Sequence, residues 1–258
     1  MTVILPFVIN AGLNFVLGLL VAFFLGPEEF GRYAIGAALM VLINTVGIDW
    51  LKLSVIRFYS EKTRENEPDI RATLDVLISG VAIGFSGLVL AAVVAGVDFG
   101  IPATLLATAV AAGICAGLFD YHGAVARARF MDKVYARLVL IKNVLALVLM
   151  VGGAWLTHDA TLVMLGSCLS VAAALIAVRR ALADAPMRLR SANRSRVAEF
   201  VRYALPLVGA NVLYAAIPLI NRSLLAGAMG FAESGYFALA SDIGIKLFGT
   251  LGATLEIV

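Results

Sequence analysis

Long apolar runs alternate with short polar links along the whole chain. The runs from 76 to 97, 99 to 119 and 160 to 178 contain no charged residue. Lipid cannot satisfy a bare N–H or C=O group, so a spanning segment must be a helix or part of a closed barrel. Uncharged runs of about 20 residues fit helices and are about twice as long as barrel strands. We therefore predict an all-α membrane protein with eight transmembrane helices, at about 3–25, 34–57, 74–96, 101–121, 137–156, 160–178, 203–225 and 235–257.

The link between the first two spans has a second copy near the end of the chain. Its first copy is LGPEEFGRYA, from Leu25 to Ala34, and its second is MGFAESGYFA, from Met229 to Ala238. Two glycines, one glutamate and the final alanine match at a constant offset. The match predicts a second structural repeat, and the six spans between the two starts give both repeats the same orientation.

The composition is that of a membrane protein. Hydrophobic residues make up 62% of the chain and charged residues 14%, and the mean hydropathy is +0.97. Soluble domains are roughly half apolar and a quarter charged. The net charge is only +3, and no aromatic residues alternate with the basic ones to stack on bases. This pattern argues against a nucleic-acid partner.

Most basic residues lie on one side of the predicted membrane. The positive-inside rule makes that side cytoplasmic and places the N-terminus there as well. This side holds Lys52, Arg57, Lys62, Arg64, Arg71, Arg127, Arg129, Lys133, Arg137, Lys142, Arg179, Arg180, Arg188, Arg190, Arg194, Arg196 and Arg202.

A polar, arginine-rich stretch divides the chain into two parts. We predict a first bundle of six helices at 1–180, a basic cytoplasmic linker at 181–202 and the start of a second bundle at 203–258. A solvated linker and an amphipathic helix on anionic membrane lipids are both compatible with the composition of this stretch. Because only two spans follow the linker, we expect the chain to be a fragment of a longer protein.

Ionisable residues at membrane depth are the first candidates for a functional site. Each costs about 2.5–3.5 kcal/mol to insert, so it tends to face protein or a wet cavity. Asp49, Lys52 and Arg57 lie within one arc of about 140° on the second span. We predict that Asp49 and Lys52 pair and that Arg57 offers its guanidinium to a phosphate. The alternative for Arg57 is that it extends to the lipid headgroups.

Polar stripes on other spans extend this prediction. Asn211, Tyr214 and Arg222 mark one side of the seventh span, and Asn10 and Asn14 form a shorter stripe on the first. These stripes indicate that the first, second, seventh and eighth spans line a cavity. Hydrogen bonds between helices are the alternative interpretation of the two asparagines on the first span.

Three further positions carry predictions with open alternatives. Pro218 removes a helical hydrogen bond and serves either as a hinge or as a packing kink. Asp242 and Lys246 are spaced to pair on the eighth span. That pair is either structural or a coupling-ion site beside a ligand for an anionic substrate. Asp120, beside His122, is predicted to belong to a cytoplasmic boundary cluster, with a proton relay as the alternative.

Several segments together resemble a known family. They are the link at 25–33, the stretches 47–51 and 57–59, and the stretch 202–206 at the start of the predicted second bundle. They are similar to the polysaccharide-transport and O-antigen flippase branch of the multidrug/oligosaccharidyl-lipid/polysaccharide exporter superfamily. The resemblance implies twelve or more helices in two bundles, around a central cavity that opens alternately to either side of the bacterial cytoplasmic membrane.

The resemblance predicts a flippase for a polyprenyl-pyrophosphate-linked oligosaccharide. Lys52, Arg57, Arg222 and Lys246 are then the candidate cations for the pyrophosphate. The coupling-ion candidates are Asp49, Asp242 and Asp120. A cation exporter of the same superfamily, which would depend on the carboxylates, remains an alternative. So does a non-transporting scaffold that binds polysaccharide polymerase or synthase components.

Other chemistries find no support in the sequence. Cys115 and Cys168 lie far apart in apolar runs without a CxxC spacing, so neither a disulfide nor a zinc site is predicted. No glycine-rich loop of the Walker or dinucleotide type is present. We therefore predict no catalytic residues, no metal, no cofactor and no enzymatic activity.

Overall fold

The structure is a computed structural model that describes residues 4–97, 100–183 and 192–255, and it is helical nearly throughout these ranges. Six helices in the described part are long and apolar enough to cross a membrane, and the predicted all-α multi-span fold is confirmed. A π-helical turn, Leu147–Val151, joins the sixth and seventh helices. The helices are α1 (Ile4–Gly47), α2 (Asp49–Phe58), α3 (Glu61–Asn66), α4 (Pro68–Val94), α5 (Ala103–Ala128), α6 (Asp132–Ala146), α7 (Gly152–Thr157), α8 (Ala160–Leu182), α9 (Arg194–Met229) and α10 (Phe231–Leu255).

Helix α1 is broken at Gly26, which separates the first two predicted spans. Gly26 has φ 73° and ψ 171°, a backbone conformation that is essentially restricted to glycine. Pro27 then begins the second segment, where its missing N–H costs nothing. Gly230, between α9 and α10, has nearly the same conformation, with φ 99° and ψ 168°. The two copies of the link therefore share their backbone geometry as well as their sequence.

The two links also contact each other. A Cβ atom on Gly31 would overlap the carbonyl of Phe231, and one on Gly235 would overlap the carbonyl of Pro27. Phe231 occupies in the second copy the position that Pro27 occupies in the first, so the contact is reciprocal. Reciprocity of this kind is what a two-fold axis produces. The links therefore pack backbone to backbone, and only glycine permits that approach.

Two boundaries differ from the sequence prediction. The second segment of α1 begins at Pro27 rather than near 34, and it ends at Gly47. Ile48 leaves the helical conformation, with φ −124° and ψ −25°, and α2 starts at Asp49. The predicted second span is therefore two helices. Asp49 lies in the first turn of α2, where a negative charge is favourable.

The predicted linker at 181–202 is partly helical. Helix α8 continues to Leu182, and α9 already begins at Arg194, where the side chain of Asn193 accepts a hydrogen bond from the Ser195 N–H. Residues 184–191 lie outside the described residues. Helix α9 then continues without a break through Pro206 and Pro218, so the hinge at Pro218 stays a prediction.

The start of α9 is fixed to the first bundle. Arg196 forms ion pairs with Glu67 and Asp69, at the start of α4. Phe200 is fully buried, and its ring centroid lies 5.4 Å from that of Phe58 on α2. These contacts join the beginning of the second repeat to α2 and α4.

Candidate functional site

The first polar cluster, which we call the Lys52 cluster, joins α1, α2 and α5. The ammonium of Lys52 lies 2.5 Å from Asp49 Oδ1 and 3.7 Å from Asp120 Oδ2. The side chain of Asn44 on α1 donates to the same Asp120 oxygen at 3.3 Å. The predicted pairing of Asp49 and Lys52 is therefore present. Asp120 joins this cluster from α5, a contact that the sequence did not predict.

The second polar cluster, the Arg222 cluster, joins α1, α9 and α10. Arg222 is buried, with 6% of its surface exposed. One guanidinium nitrogen donates to the carbonyl of Ala34 at 3.0 Å, and another donates to Asp242 Oδ1 at 2.5 Å. The hydroxyl of Ser234 donates to the Arg222 carbonyl. Arg222 thus ties the second segment of α1 to both helices of the second repeat.

A small cavity lies beside the Arg222 cluster, between α1 and α10. Its volume is about 30 Å³, enough for a water molecule, and Phe15, Asp242 and Lys246 are among its lining residues. The ammonium of Lys246 donates to the Asn14 carbonyl at 3.3 Å and lies 5.7 Å from the centre of the Phe15 ring. The first, second, seventh and eighth predicted spans therefore meet around Asp242 and Lys246.

The two clusters lie at different depths along one helical segment. Ala34 is near the beginning of the second segment of α1 and Asn44 near its end. Ten residues of helix separate them, which corresponds to about 15 Å along the helix axis. A hydrophobic layer is about 30 Å thick. The two clusters therefore contact the same helical segment at two levels, through the Ala34 carbonyl and the Asn44 side chain.

The remaining predicted site residues are more scattered. Arg57, Asn211 and Tyr214 are exposed on the described part of the structure, and Tyr214 is 78% exposed. Asn14 contributes its backbone carbonyl to Lys246. The side chain of Asn10 lies outside the described residues.

A third group, the Arg71 cluster, was missed by the sequence analysis. Arg71 is buried, and its Nε lies 2.9 and 3.0 Å from the two carboxylate oxygens of Asp75. The Tyr121 hydroxyl donates to Asp75 Oδ1 at 2.6 Å, and the Arg71 guanidinium lies over the rings of Tyr121 and Tyr59. The spacing of Arg71 and Asp75 on one helix could have revealed the ion pair. Because Tyr121 follows Asp120 in α5, this cluster fixes the turn that carries Asp120.

The basic residues of the first two clusters bind carboxylates or backbone carbonyls of the protein. Lys52 contacts two carboxylates, and Arg222 contacts one carboxylate and one carbonyl. An anion that enters would therefore take the place of a carboxylate rather than meet an uncompensated charge. Such an exchange is inexpensive, because a buried guanidinium keeps a charged partner before and after it.

Comparison with known proteins identifies one family. The profile of a family described as "Polysaccharide biosynthesis protein" matches residues 2–251. Neither the curated proteins nor the solved structures contain a match to the chain.

Proposed function

Since the chain belongs to the polysaccharide biosynthesis protein family, the O-antigen and polysaccharide flippases of the MOP superfamily, we propose that it flips a lipid-linked oligosaccharide. Members of this family are transporters rather than enzymes. The proposed substrate is a polyprenyl-pyrophosphate-linked oligosaccharide or polysaccharide repeat unit. The proposed direction is from the cytoplasmic to the outer leaflet of the bacterial cytoplasmic membrane.

The observation that carries this proposal is the buried Arg222. An arginine at membrane depth is costly and is kept where it faces protein or a wet cavity. Its planar guanidinium suits the oxygen atoms of a phosphate better than a lysine ammonium does. Arg222 is held between Asp242 and the Ala34 carbonyl, and Asp242 and Lys246 line a neighbouring cavity. Arg222 on α9 and Lys246 on α10 are the two cations that we propose for one diphosphate group.

The proposed mechanism is an exchange of partners at Arg222. In the structure the guanidinium binds Asp242, and a diphosphate oxygen would compete for the same donor when substrate enters. Asp242 is then released and accepts a proton or a coupling cation. Lys52 and Asp49, on α2, provide a second exchange of the same kind, and the two clusters contact α1 at positions about 15 Å apart. Two such binding positions would allow the charged headgroup to cross the hydrophobic layer while the lipid tail stays within that layer.

The test is transport by the purified chain in liposomes, with a fluorescent polyprenyl-pyrophosphate oligosaccharide as substrate. Replacing Arg222 by Gln removes charge-assisted hydrogen bonds worth about 1.5–3 kcal/mol, so we expect transport to fall about tenfold to a hundredfold. Arg222→Lys keeps the charge and should retain part of the activity. Arg194→Gln, an exposed arginine at the start of α9, is the matched control and should transport normally.

The pattern across variants separates the proposal from its rivals. Transport by Arg222→Gln at the wild-type rate would refute the role of Arg222. If Asp242→Asn loses activity while Arg222→Gln keeps it, the result would instead favour a cation exporter. A wild-type chain that inserts into liposomes but moves no substrate would favour the scaffold that binds polymerase or synthase components.

A further inference from the structure

Two cysteines that are distant in sequence lie in contact in the structure. Cys115 is on α5 and Cys168 on α8, and their sulfur atoms are 3.1 Å apart. Both are free thiols and both are partly buried. No short spacing links them in the sequence, which predicts neither a disulfide nor a zinc site. The two cysteines form no disulfide in the structure, but packing of the two helices brings the thiols together.

Small side chains explain why the two helices approach closely at this position. Ala112 on α5 packs in one buried cluster with Ala160 and Met164 on α8, and Cys168 packs against that cluster. Leu105, near the start of α5, belongs to the same cluster, so the two helices begin at the same end. The thiols therefore face each other between two parallel neighbouring helices.

The thiol pair lies within the hydrophobic layer. At 1.5 Å per residue, Cys115 lies about 18 Å along α5 from the first residue of that helix. Cys168 lies about 12 Å along α8 from its first residue. The hydrocarbon core is about 30 Å thick, so both sulfurs lie near its middle. Water-soluble thiols and oxidants are largely excluded from this depth. A reagent that modifies the pair must dissolve in lipid.

We propose that Cys115 and Cys168 form an oxidation site, at which a lipid-soluble hydroperoxide converts the two thiols into a disulfide between α5 and α8. One thiol loses its proton, and its sulfur attacks the peroxide O–O bond to give a sulfenic acid and the alcohol of the lipid. The second thiol then attacks the sulfenic sulfur, the S–S bond forms and water leaves. Two thiols and one hydroperoxide give one disulfide, one alcohol and one water.

The geometry favours the second step strongly. The resolving sulfur already lies 3.1 Å from its target, so the reaction is intramolecular and needs no diffusion. A disulfide requires about 2.05 Å between the sulfurs, so the two atoms must approach by about 1 Å. Rapid closure also protects the sulfenic acid from further, irreversible oxidation. The disulfide would fasten α5 to α8 within the first bundle.

The test uses the full chain in liposomes, treated with cumene hydroperoxide and then unfolded in detergent with a maleimide of high mass. The untreated protein should take up two labels, and the treated protein none. A reducing agent should restore both labels, and the treated protein should run as a monomer on a non-reducing gel. The intact mass should fall by two hydrogen atoms.

A matched variant separates proximity from simple reactivity. Cys115→Ser combined with Ala116→Cys keeps two thiols but turns one of them by about 100° around α5. Under the same treatment, the monomeric fraction of this variant should keep both labels. Loss of both labels from the monomeric variant at the wild-type rate would overturn the proposal. Retention of both labels in the treated wild type, or a loss that reduction does not reverse, would overturn it as well.

Discussion

The ion pair between Arg222 and Asp242 is unequal in its exposure to solvent. The Arg222 side chain is 7% exposed and that of Asp242 is 40% exposed. Removing the carboxylate therefore leaves a buried cation without its carboxylate, whereas removing the guanidinium leaves a carboxylate that is only partly buried. Breaking a buried pair costs about 3–5 kcal/mol, and the exposure of Asp242 favours the lower end of that range.

We accordingly predict that Asp242→Ala lowers the unfolding temperature in detergent more than Arg222→Met does. The double variant should recover part of the loss, because it removes both charges together. Thermal unfolding of the three variants gives the coupling between the two side chains as a double-mutant cycle. Equal effects of the two single variants, without coupling, would show that the pair contributes nothing.

The sequence could reveal only those side-chain contacts that join residues a few positions apart on one helix. Asp49 and Lys52 lie three positions apart on one helix, so their pairing follows from helical geometry. Arg222 finds Asp242 on the next helix, and Tyr121 finds Asp75 on a different one. Those contacts depend on which helices become neighbours. A pattern of residues in one sequence does not contain that information.

At the scale of helices, the closest approach is between the two copies of the glycine link. A methyl group on Gly31 or Gly235 would overlap a backbone carbonyl of the opposite link, which no rotamer change can relieve. Gly209 on α9 has open space around the position of a Cβ atom. These glycines therefore differ in what an added methyl group meets, although all three lie within helices.

We predict that Gly31→Ala and Gly235→Ala each destabilise the protein by about 1–3 kcal/mol, because overpacking forces the two links apart. Gly209→Ala, the matched control, should be neutral or stabilising by up to about 1 kcal/mol, since alanine favours helix. Denaturant unfolding in detergent measures the three changes. Wild-type stability in both link variants would mean that the links do not touch.

The element boundaries show where sequence reasoning about helices succeeded. Apolar length located the spans to within several residues, because the membrane thickness sets that length. The helix breaks at Gly26 and Ile48 differ in how clearly the sequence indicates them. Glycine before proline marks the first in the sequence, whereas Ile48 is a good membrane residue that gives no sign of a helix end. The division of the predicted second span therefore became visible only in the structure.

At the scale of the whole molecule, contacts in several places join the repeats. The links touch through Gly31 and Gly235, and the start of α9 is joined to α4 through the ion pairs of Arg196. The Arg222 cluster joins α9 and α10 to α1 as well. A rocking movement between the repeats would therefore have to alter the surroundings of Arg222. Such a movement would couple the proposed transport to the proposed partner exchange at Arg222.

The reciprocal contact of the links makes a prediction about membrane topology. Both links must lie on the same side, and the distribution of basic residues predicts that this side is the outer one. In a cysteine-free background, Glu28→Cys in the first link and Glu233→Cys in the second should both react with an impermeant maleimide added to intact cells. Lys62→Cys, in α3 on the opposite side, should react only after the membrane is opened.

The labelling result tests two inferences, which are the shared orientation of the repeats and the side of the membrane on which the links lie. If Glu28→Cys and Glu233→Cys label from opposite sides, the repeats do not share an orientation, and the packing of Gly31 on Gly235 is excluded. If both label only after the membrane is opened while Lys62→Cys labels in intact cells, the repeats are parallel but the chain is inverted. A substrate would then meet the Lys52 cluster from the outer side, and the proposed direction of transport would be reversed.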